Sequence, residues 1–276
     1  KKAALYLMSC QKNGGDGNLL GGGKDSGGQY RSWRWASDNS YAYQALKAAE
    51  VWALMKNDYR FALSCASASR RIIKGIDSVL YIKNPYDPDY GLWHRVVDEK
   101  NQPVEAQNHD WINYAPQMLN IPCRGVGHPR VGKWVHDRFQ DADGSCVWDD
   151  YSAFKFRKSP GYSFQAVLCW RNLFQPEFYM PALGWALESG LWQVDPGEGA
   201  ITGGWIDWFD QETGQQANWW ERFIDTSFYS IAAYNGGYDF SVVPAFLRIG
   251  YSDPSAGEGI IPCYLKFKLE FPSEME

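Results

Sequence analysis

The chain has 276 residues, a formal net charge of −5 and an aromatic fraction of 16%. This acidic balance, with no long Lys/Arg run, argues against nucleic acid as a partner, because phosphate recognition requires a clustered basic face. No apolar run approaches the roughly 18 residues of a membrane-spanning helix, so we expect no membrane partner either.

A chain of this length can bury a sizeable core, and no Pro/Gly/Ser-rich linker separates its periodic segments. We therefore predict a single domain over residues 1–276. The six cysteines form no CxxC pair and no zinc-ligand spacing, and several fall in apolar helical runs, so buried thiols are expected. The glycine-rich loop at residues 14–23 lacks a phosphate-binding pattern, and no cofactor is expected.

Apolar periodicity predicts helices along most of the chain, joined by connections short enough to make antiparallel pairs. The first is a helix over residues 1–11, which the glycine-rich loop ends. The others are predicted at residues 40–56, 59–80, 110–121, 129–140, 162–174, 177–191, 219–234 and 240–249. Near the end of the sequence, residues 263–269 alternate between apolar and polar side chains, as in a β-strand.

Short Trp-bearing hairpins precede several of these helices, at residues 91–107, 146–158 and 204–218. Trp33-Arg34-Trp35 is a weaker copy before the helix at residues 40–56. The repeated unit is thus a hairpin, an inner helix and an outer helix, and such units bury their faces by stacking on their neighbours.

This repeat predicts a mainly α fold, namely an (α/α) toroid that is an incomplete or open six-hairpin barrel with short β-hairpins on one rim. There are roughly four units, fewer than the six of a complete ring. The ring is therefore open, shorter by two hairpins, or closed by another subunit in a homo-oligomer.

Two segments resemble a known enzyme family. GLWHRVVD at residues 91–98, followed by Val104-Glu105-Ala106 and a helix, resembles the GLW-x-x-V-x-D, turn, x-E-A-helix unit of the unsaturated rhamnogalacturonyl and glucuronyl hydrolases. Trp35-Ala36-Ser37-Asp38 before a helix is similar to the W-x-D-helix segment in which that family places its general acid. The resemblance implies a six-hairpin glycosidase-like toroid that acts on unsaturated uronyl oligosaccharides.

Candidate catalytic groups fall at the amino ends of predicted inner helices: Asp38, His109 with Asp110, and Asp225. A toroid would bring these helix ends to one rim, where burial and mutual repulsion drive two carboxyl pKa values apart and give one proton donor and one base. We predict Asp38 as the donor and Asp110 or His109 as the group that assists a water. The alternative is that each Asp merely caps its helix.

Flat amphipathic rings near a rim suit sugar rings or an apolar polycyclic ligand. The predicted substrate-binding residues are Trp35, Tyr41, Trp93, His94, Trp111, Trp148, Trp205 and Asp225. Asp87-Pro88-Asp89 and Asp149-Asp150 suggest calcium, but neither has an EF-hand loop, so turns are favoured and no metal is expected.

The sequence therefore predicts a carbohydrate-active enzyme that cleaves a saccharide by acid/base chemistry, with a small molecule or an oligosaccharide as its substrate. The second hypothesis is a terpenoid or polyene cyclase, isomerase or pericyclic catalyst, in which the same aromatic rim would bind an apolar substrate and fix its conformation. A non-catalytic glycan-binding module is the third hypothesis, because fold alone does not determine function.

Overall fold

The computed structural model describes residues 1–13, 18–21, 23–24, 30–104, 108–147, 157–189 and 209–210. Within these ranges the chain is mainly helical with short strands, which confirms the predicted fold class. The helices are α1 (Lys2–Asn13), α2 (Ala36–Met55), α3 (Tyr59–Gly75), α4 (Ala115–Met118), α5 (Pro129–Phe139), α6 (Pro160–Arg171) and α7 (Pro176–Ser189).

Helix α2, predicted at residues 40–56, begins four residues earlier, at Ala36, and two other predicted helices contain turns that are not α-helical. The helix predicted at residues 59–80 ends in a π-helical turn, Ile76–Leu80. The one predicted at residues 110–121 is a 3-10 turn, Trp111–Tyr114, followed by the single turn of α4. Pro116 lies in the first turn of α4, where its missing N–H group leaves no helical hydrogen bond unmade.

The strands in the described part of the chain are short and form antiparallel pairs. They are β1 (Gly23–Lys24) with β2 (Tyr30–Arg31), β3 (Arg34–Trp35) with β4 (Val96–Val97), and β5 (Arg157–Lys158) with β6 (Phe209–Asp210). In the second pair Arg34 lies opposite Val97, and Trp35 lies opposite Val96. The start of α2 is thereby joined to the hairpin predicted at residues 91–107.

That hairpin forms around a tight turn. The Asp98 amide donates to the Gln102 carbonyl at 2.9 Å, and the Val104 amide donates to the Val96 carbonyl at 3.0 Å. The Asp98 carboxylate also accepts from the Lys100 and Gln102 amides, as Asp commonly does in turns. The predicted polar turn at residues 98–103 is thus held by one aspartate.

The helices pack in the order that the repeat predicts. Helix α2 packs against α3, and α6 packs against α7. The connection within each pair is short, as in antiparallel helix pairs. Helix α4 lies between α2 and α6 and contacts both. The toroid itself stays a prediction, because the hairpin and helices predicted from residue 204 onward lie outside the described residues apart from 209–210.

Buried apolar residues of all seven helices in the described ranges belong to one hydrophobic core. Trp93 and Trp170 are among its largest fully buried side chains. The described cysteines, Cys10, Cys65, Cys123, Cys146 and Cys169, are all free thiols. Burial raises the pKa of the Cys146 and Cys169 thiols, so both stay protonated at neutral pH.

Candidate active site

Arg95 connects the hairpin to the start of α2. Its backbone carbonyl accepts a hydrogen bond from the Ala36 amide at 3.0 Å. Its guanidinium carbon lies 5.1 Å from the centroid of the Trp35 ring, a cation–π contact. The Arg95 Nε donates to the Asp110 Oδ2 at 2.8 Å. One side chain therefore joins Trp35, at the start of α2, to Asp110, at the start of the 3-10 turn.

Asp38 lies in the first turn of α2, three residues after Trp35. The residue is exposed to solvent, yet partial burial of its carboxyl group raises the pKa of Asp38, and a 3.4 Å hydrogen bond from the Ser37 hydroxyl opposes that shift. Its side chain does not cap α2, whose N-cap residue is Trp35 with no side-chain cap bond. The helix-cap alternative therefore does not describe Asp38.

Tyr41 follows Asp38 by one helical turn, so the two side chains lie on the same face of α2. The Tyr41 ring meets the Trp111 ring edge to face, with centroids 6.4 Å apart. Both rings are half-buried and keep part of their surface in solvent. We use the name Asp38 cluster for six residues: Trp35, Asp38, Tyr41, Arg95, Asp110 and Trp111. Contacts join Trp35 to Asp110 through Arg95, and Tyr41 to Trp111, while Asp38 belongs to the group by its position on α2.

Asp110 is held firmly by its neighbours. Its side chain is 3% exposed and is ion-paired with Arg95. Its Oδ1 accepts from the Ile112 amide at 2.8 Å, and the Asn113 side chain accepts from the Asp110 amide at 3.0 Å, which makes a capping box. Asp110 therefore caps a helical turn and neutralises Arg95, which is the structural alternative considered for it.

His109 faces away from Asp110 into a buried network. Its Nε2 is 2.7 Å from the Asp89 Oδ2, and its Nδ1 is 3.3 Å from an Arg138 nitrogen. Asp89 Oδ1 also accepts from the Trp134 indole at 3.0 Å and from Arg138 at 3.1 Å. Burial alone would raise the pKa of Asp89, but the His109 and Trp134 hydrogen bonds outweigh it and lower that pKa to about 2. Both ring nitrogens of His109 are occupied by this network.

Trp93 and His94 differ in their access to solvent. Trp93 is fully buried, and its ring packs edge to face on Tyr81 at 6.4 Å. No face of that ring is open to a ligand, since the core surrounds it. His94 is half-buried and lines a small recess with Arg95, Asn108 and Asn113.

The structure brings five of the predicted site residues into the Asp38 cluster: Trp35, Asp38, Tyr41, Asp110 and Trp111. Of the remaining predicted residues, Trp93, His94 and His109 lie outside this cluster, and Trp148, Trp205 and Asp225 lie outside the described residues, as does Asp149-Asp150. The sequence analysis did not identify Arg95, although a single basic residue in an apolar strand, next to His94, could have indicated it. It also missed the Asp89–His109 contact, which spans 20 residues of chain.

In the turn at residues 87–89, the Asp89 amide donates to the Asp87 carboxylate at 2.8 Å, so Asp87 closes an Asx turn. Among the described residues, no three His, Cys, Asp or Glu side chains come together in a group that could hold a metal ion. None of the helices in the same part of the chain combines the length and apolar character that a bilayer crossing requires.

No protein-family model matches this sequence, and no curated protein is significantly similar to it. Solved structures are similar to it in fold. A protein titled sialidase superposes with a TM-score of 0.52 at 13% identity over 85% of this chain, which spans 23% of that protein's length.

A protein described as a novel alpha-amylase from Clostridium perfringens superposes with a TM-score of 0.50 at 14% identity. The match covers 85% of this chain and 80% of that one. Both neighbours are named as carbohydrate-active enzymes. At these identities the likeness establishes a shared fold.

Proposed function

We propose that this protein is a carbohydrate-active enzyme that cleaves a glycosidic bond by acid/base chemistry at the Asp38 cluster. One observation carries the proposal: the Asp38 carboxyl, whose pKa is raised by burial, is one helical turn from the half-buried rings of Trp35 and Tyr41 at the start of α2. Ionisable groups with shifted pKa values are typical of catalytic sites. The fold shared with two carbohydrate-active enzymes supports the same class of substrate.

Asp38 is the proton donor in this proposal. A general acid must hold its proton at the working pH, and burial favours the protonated, uncharged carboxyl. Asp38 gives that proton to the oxygen of the glycosidic bond as the bond to the anomeric carbon breaks. A water then supplies its oxygen to the anomeric carbon, and its proton leaves to a base.

The rings of Trp35, Tyr41 and Trp111 supply the binding surface. Aromatic faces suit the apolar faces of sugar rings, and exposed ring edges remain available because these residues are only half-buried. The Arg95 guanidinium packs on the Trp35 ring, and its Nε donates a hydrogen bond to the Asp110 carboxylate. This arrangement fixes one ring of the surface before a substrate binds, which lowers the entropic cost of binding.

The resemblance of residues 35–38 and 91–98 points to unsaturated uronyl oligosaccharides as the substrates. The test is hydrolysis of a panel of unsaturated uronyl disaccharides by the wild type and by Asp38→Asn. Asparagine keeps the shape of the side chain and removes its transferable proton, so we expect kcat to fall by about 10²–10⁴-fold. The rate of the wild type is expected to fall as the pH rises through the pKa of Asp38.

Asp58→Asn is the matched control, because Asp58 also begins a helix but pairs with Lys1 and caps α3 away from the cluster. Its kcat is expected to match the wild type. Equal turnover by wild type and Asp38→Asn would remove Asp38 from the mechanism. A wild type inert on every saccharide would refute the proposal and direct the search to isoprenoid substrates.

A further inference from the structure

Helix α2 has one face that is open to solvent along its whole length. Among residues 36–56, the exposed ones are Asp38, Ala45, Trp52, Met55 and Lys56. Their spacings of three, four and seven residues place them on one side of the helix. The half-buried Tyr41 and Ala48 lie between them on the same side, by the same spacing. We call this set of residues the open face of α2.

The other sides of α2 are occupied. Tyr43 and Leu46 are buried in the hydrophobic core. Lys47 and Glu50 are the charged residues between Asp38 and Lys56 in sequence, and they pair with each other at 2.6 Å, away from the open face. The open face therefore has a carboxyl group at one end and an ammonium group at the other, with only aromatic, small and aliphatic side chains between them.

Trp52 and Lys56 present two kinds of contact to a ligand. The Trp52 side chain is 63% exposed, and its ring has no aromatic or hydrogen-bond partner among the described residues. Lys56 lies one turn further along, is exposed, and forms no ion pair with a described residue. A flat indole suits the apolar face of a sugar ring, and an ammonium attracts a carboxylate. A uronyl sugar has both features on one ring.

The open face is long and narrow. Along the helix axis, Trp52 lies about 21 Å and Lys56 about 27 Å from Asp38. One helix is about 10 Å wide, so the face covers roughly 270 Å², a fraction of the roughly 800 Å² that each partner buries in a standard protein interface. This shape fits an extended chain that is one sugar wide, and it is too small for a stable contact with a second folded protein.

The length of the open face also selects among saccharides. A disaccharide whose glycosidic bond lies at Asp38 is too short to reach Trp52, whereas a longer oligosaccharide reaches it. Ala45 and Ala48 leave space for such a chain between the rings of Tyr41 and Trp52. The face has no carboxyl group other than Asp38, so nothing on it repels an acidic chain along this path.

We propose that the open face of α2 binds the uncleaved part of an acidic oligosaccharide, with a sugar ring on Trp52 and a uronyl carboxylate at Lys56. This inference rests on the proposed function and narrows its substrate class to acidic chains longer than a disaccharide. It assigns Trp52 and Lys56 to substrate binding, far from the bond that is cleaved.

Affinity electrophoresis through gels that contain polygalacturonate, an acidic chain, measures this binding without turnover. We expect the wild type to be retarded, Trp52→Ala to bind about tenfold more weakly, and Lys56→Ala about twofold to fivefold more weakly. Tyr86→Ala is the matched control with unchanged retardation, because Tyr86 is 93% exposed but belongs to the loop before β4. A wild type that polygalacturonate does not retard would overturn the inference.

Ala45→Glu and Ala45→Gln test whether the chain passes along the middle of the face. The two side chains have the same size, and both are good helix formers at an exposed position, so the fold is retained. Glutamate should weaken binding to polygalacturonate more than glutamine does, because its carboxylate repels the uronyl groups. Equal binding by the two variants would mean that no acidic chain lies over Ala45.

Kinetics on unsaturated oligogalacturonates of increasing length separate this inference from the proposed function. KM of the wild type should fall once the chain is long enough to reach Trp52, and Trp52→Ala should lose that fall. If the wild type cleaves the disaccharide with a KM that does not change with length, this inference fails and the proposed function survives. If it binds polygalacturonate through Trp52 but hydrolyses no saccharide, the proposed function fails and the binding site stands.

Sedimentation velocity tests the competing occupant, a second copy of this chain. We expect wild type and Trp52→Ala to sediment alike. A dimeric wild type that becomes monomeric in Trp52→Ala would assign the open face to a contact between copies and overturn the inference.

Discussion

Asp89 shows how much depends on one buried carboxylate. Three side chains from two other segments, His109, Trp134 and Arg138, converge on it. The Arg138 guanidinium also lies 5.0 Å from the centroid of the Trp134 ring. Removing one partner from such a network leaves the others buried without their counter-charge. The resulting loss of stability is larger than the stability that the intact network adds relative to an apolar core.

Asp89→Asn should lower the free energy of unfolding by about 2–4 kcal/mol, because the amide cannot neutralise Arg138. Urea denaturation at pH 7 measures the change. The control is Asp137→Asn, since Asp137 forms an exposed i,i+4 pair with Lys133 and should cost about 0.5 kcal/mol or less. Equal losses in the two variants would show that the Asp89 network contributes little.

The same carboxylate predicts a pH dependence of stability. The pKa of Asp89 is lowered from 3.8 in the unfolded chain to about 2 in the folded one. Its contribution is therefore complete above about pH 5 and is lost as the pH falls toward 2, and it amounts to about 1–2 kcal/mol after allowance for solvent screening. Denaturation midpoints from pH 6 to pH 2 should fall more steeply for the wild type than for Asp89→Asn.

At the scale of elements, the sequence predicts the helices well where their signals are local. The bounds of α5, predicted at 129–140 and observed at Pro129–Phe139, follow from a proline at the start and an apolar stripe. The roles of Asp110 and His109 could not be predicted in the same way. Their partners Arg95 and Asp89 lie 15 and 20 residues away, and only the tertiary packing of the hairpin brings them together.

Two glycines offer a matched test of how a loop packs on a helix. Gly144 and Gly127 have positive φ angles of 91° and 86°, a conformation that costs an L-residue roughly 1–2 kcal/mol. A Cβ at Gly144 would lie 2.6 Å from the Pro181 carbonyl oxygen of α7, whereas one at Gly127 meets nothing within 4 Å. The backbone of α7 therefore approaches the loop before β5 too closely for any side chain.

Gly144→Ala should lose more stability than Gly127→Ala, and the difference isolates the contact with α7. We expect about 1–2 kcal/mol for Gly127→Ala and about 1–3 kcal/mol more for Gly144→Ala, the cost of overpacking. Thermal unfolding of the two variants against the wild type measures both. Equal shifts in the unfolding temperature would show that α7 does not rest on this loop.

For the whole molecule, the connected core links elements far apart in sequence. Every helix of the described chain contributes at least one buried side chain to it: Ala4, Leu46, Ile72, Met118, Val135, Phe164 and Ala182. The short turn of α4 has a central position, because it contacts both α2 and α6. The Gln44 side chain of α2 donates to the Leu119 carbonyl at the end of α4 at 2.6 Å, a polar link inside this apolar packing.

A connected core of this kind should unfold cooperatively, so damage at one helix should lower the stability of the others. Leu46 of α2 is fully buried, and Leu46→Ala is expected to cost about 2–5 kcal/mol. Native-state hydrogen exchange read by mass spectrometry resolves the effect along the chain. The slowest amides of α2, α3 and α6 should all lose the same free energy of protection.

Leu63→Ala provides the control, since Leu63 of α3 is 68% exposed and its truncation should change protection by no more than about 0.5 kcal/mol. Loss of protection confined to α2 and α3 in Leu46→Ala would mean that the first helix pair opens separately from α6. The Asp38 cluster spans α2 and the turn before α4. Its geometry depends on these two elements staying together, and cooperative exchange would show that the packing holds them as one unit.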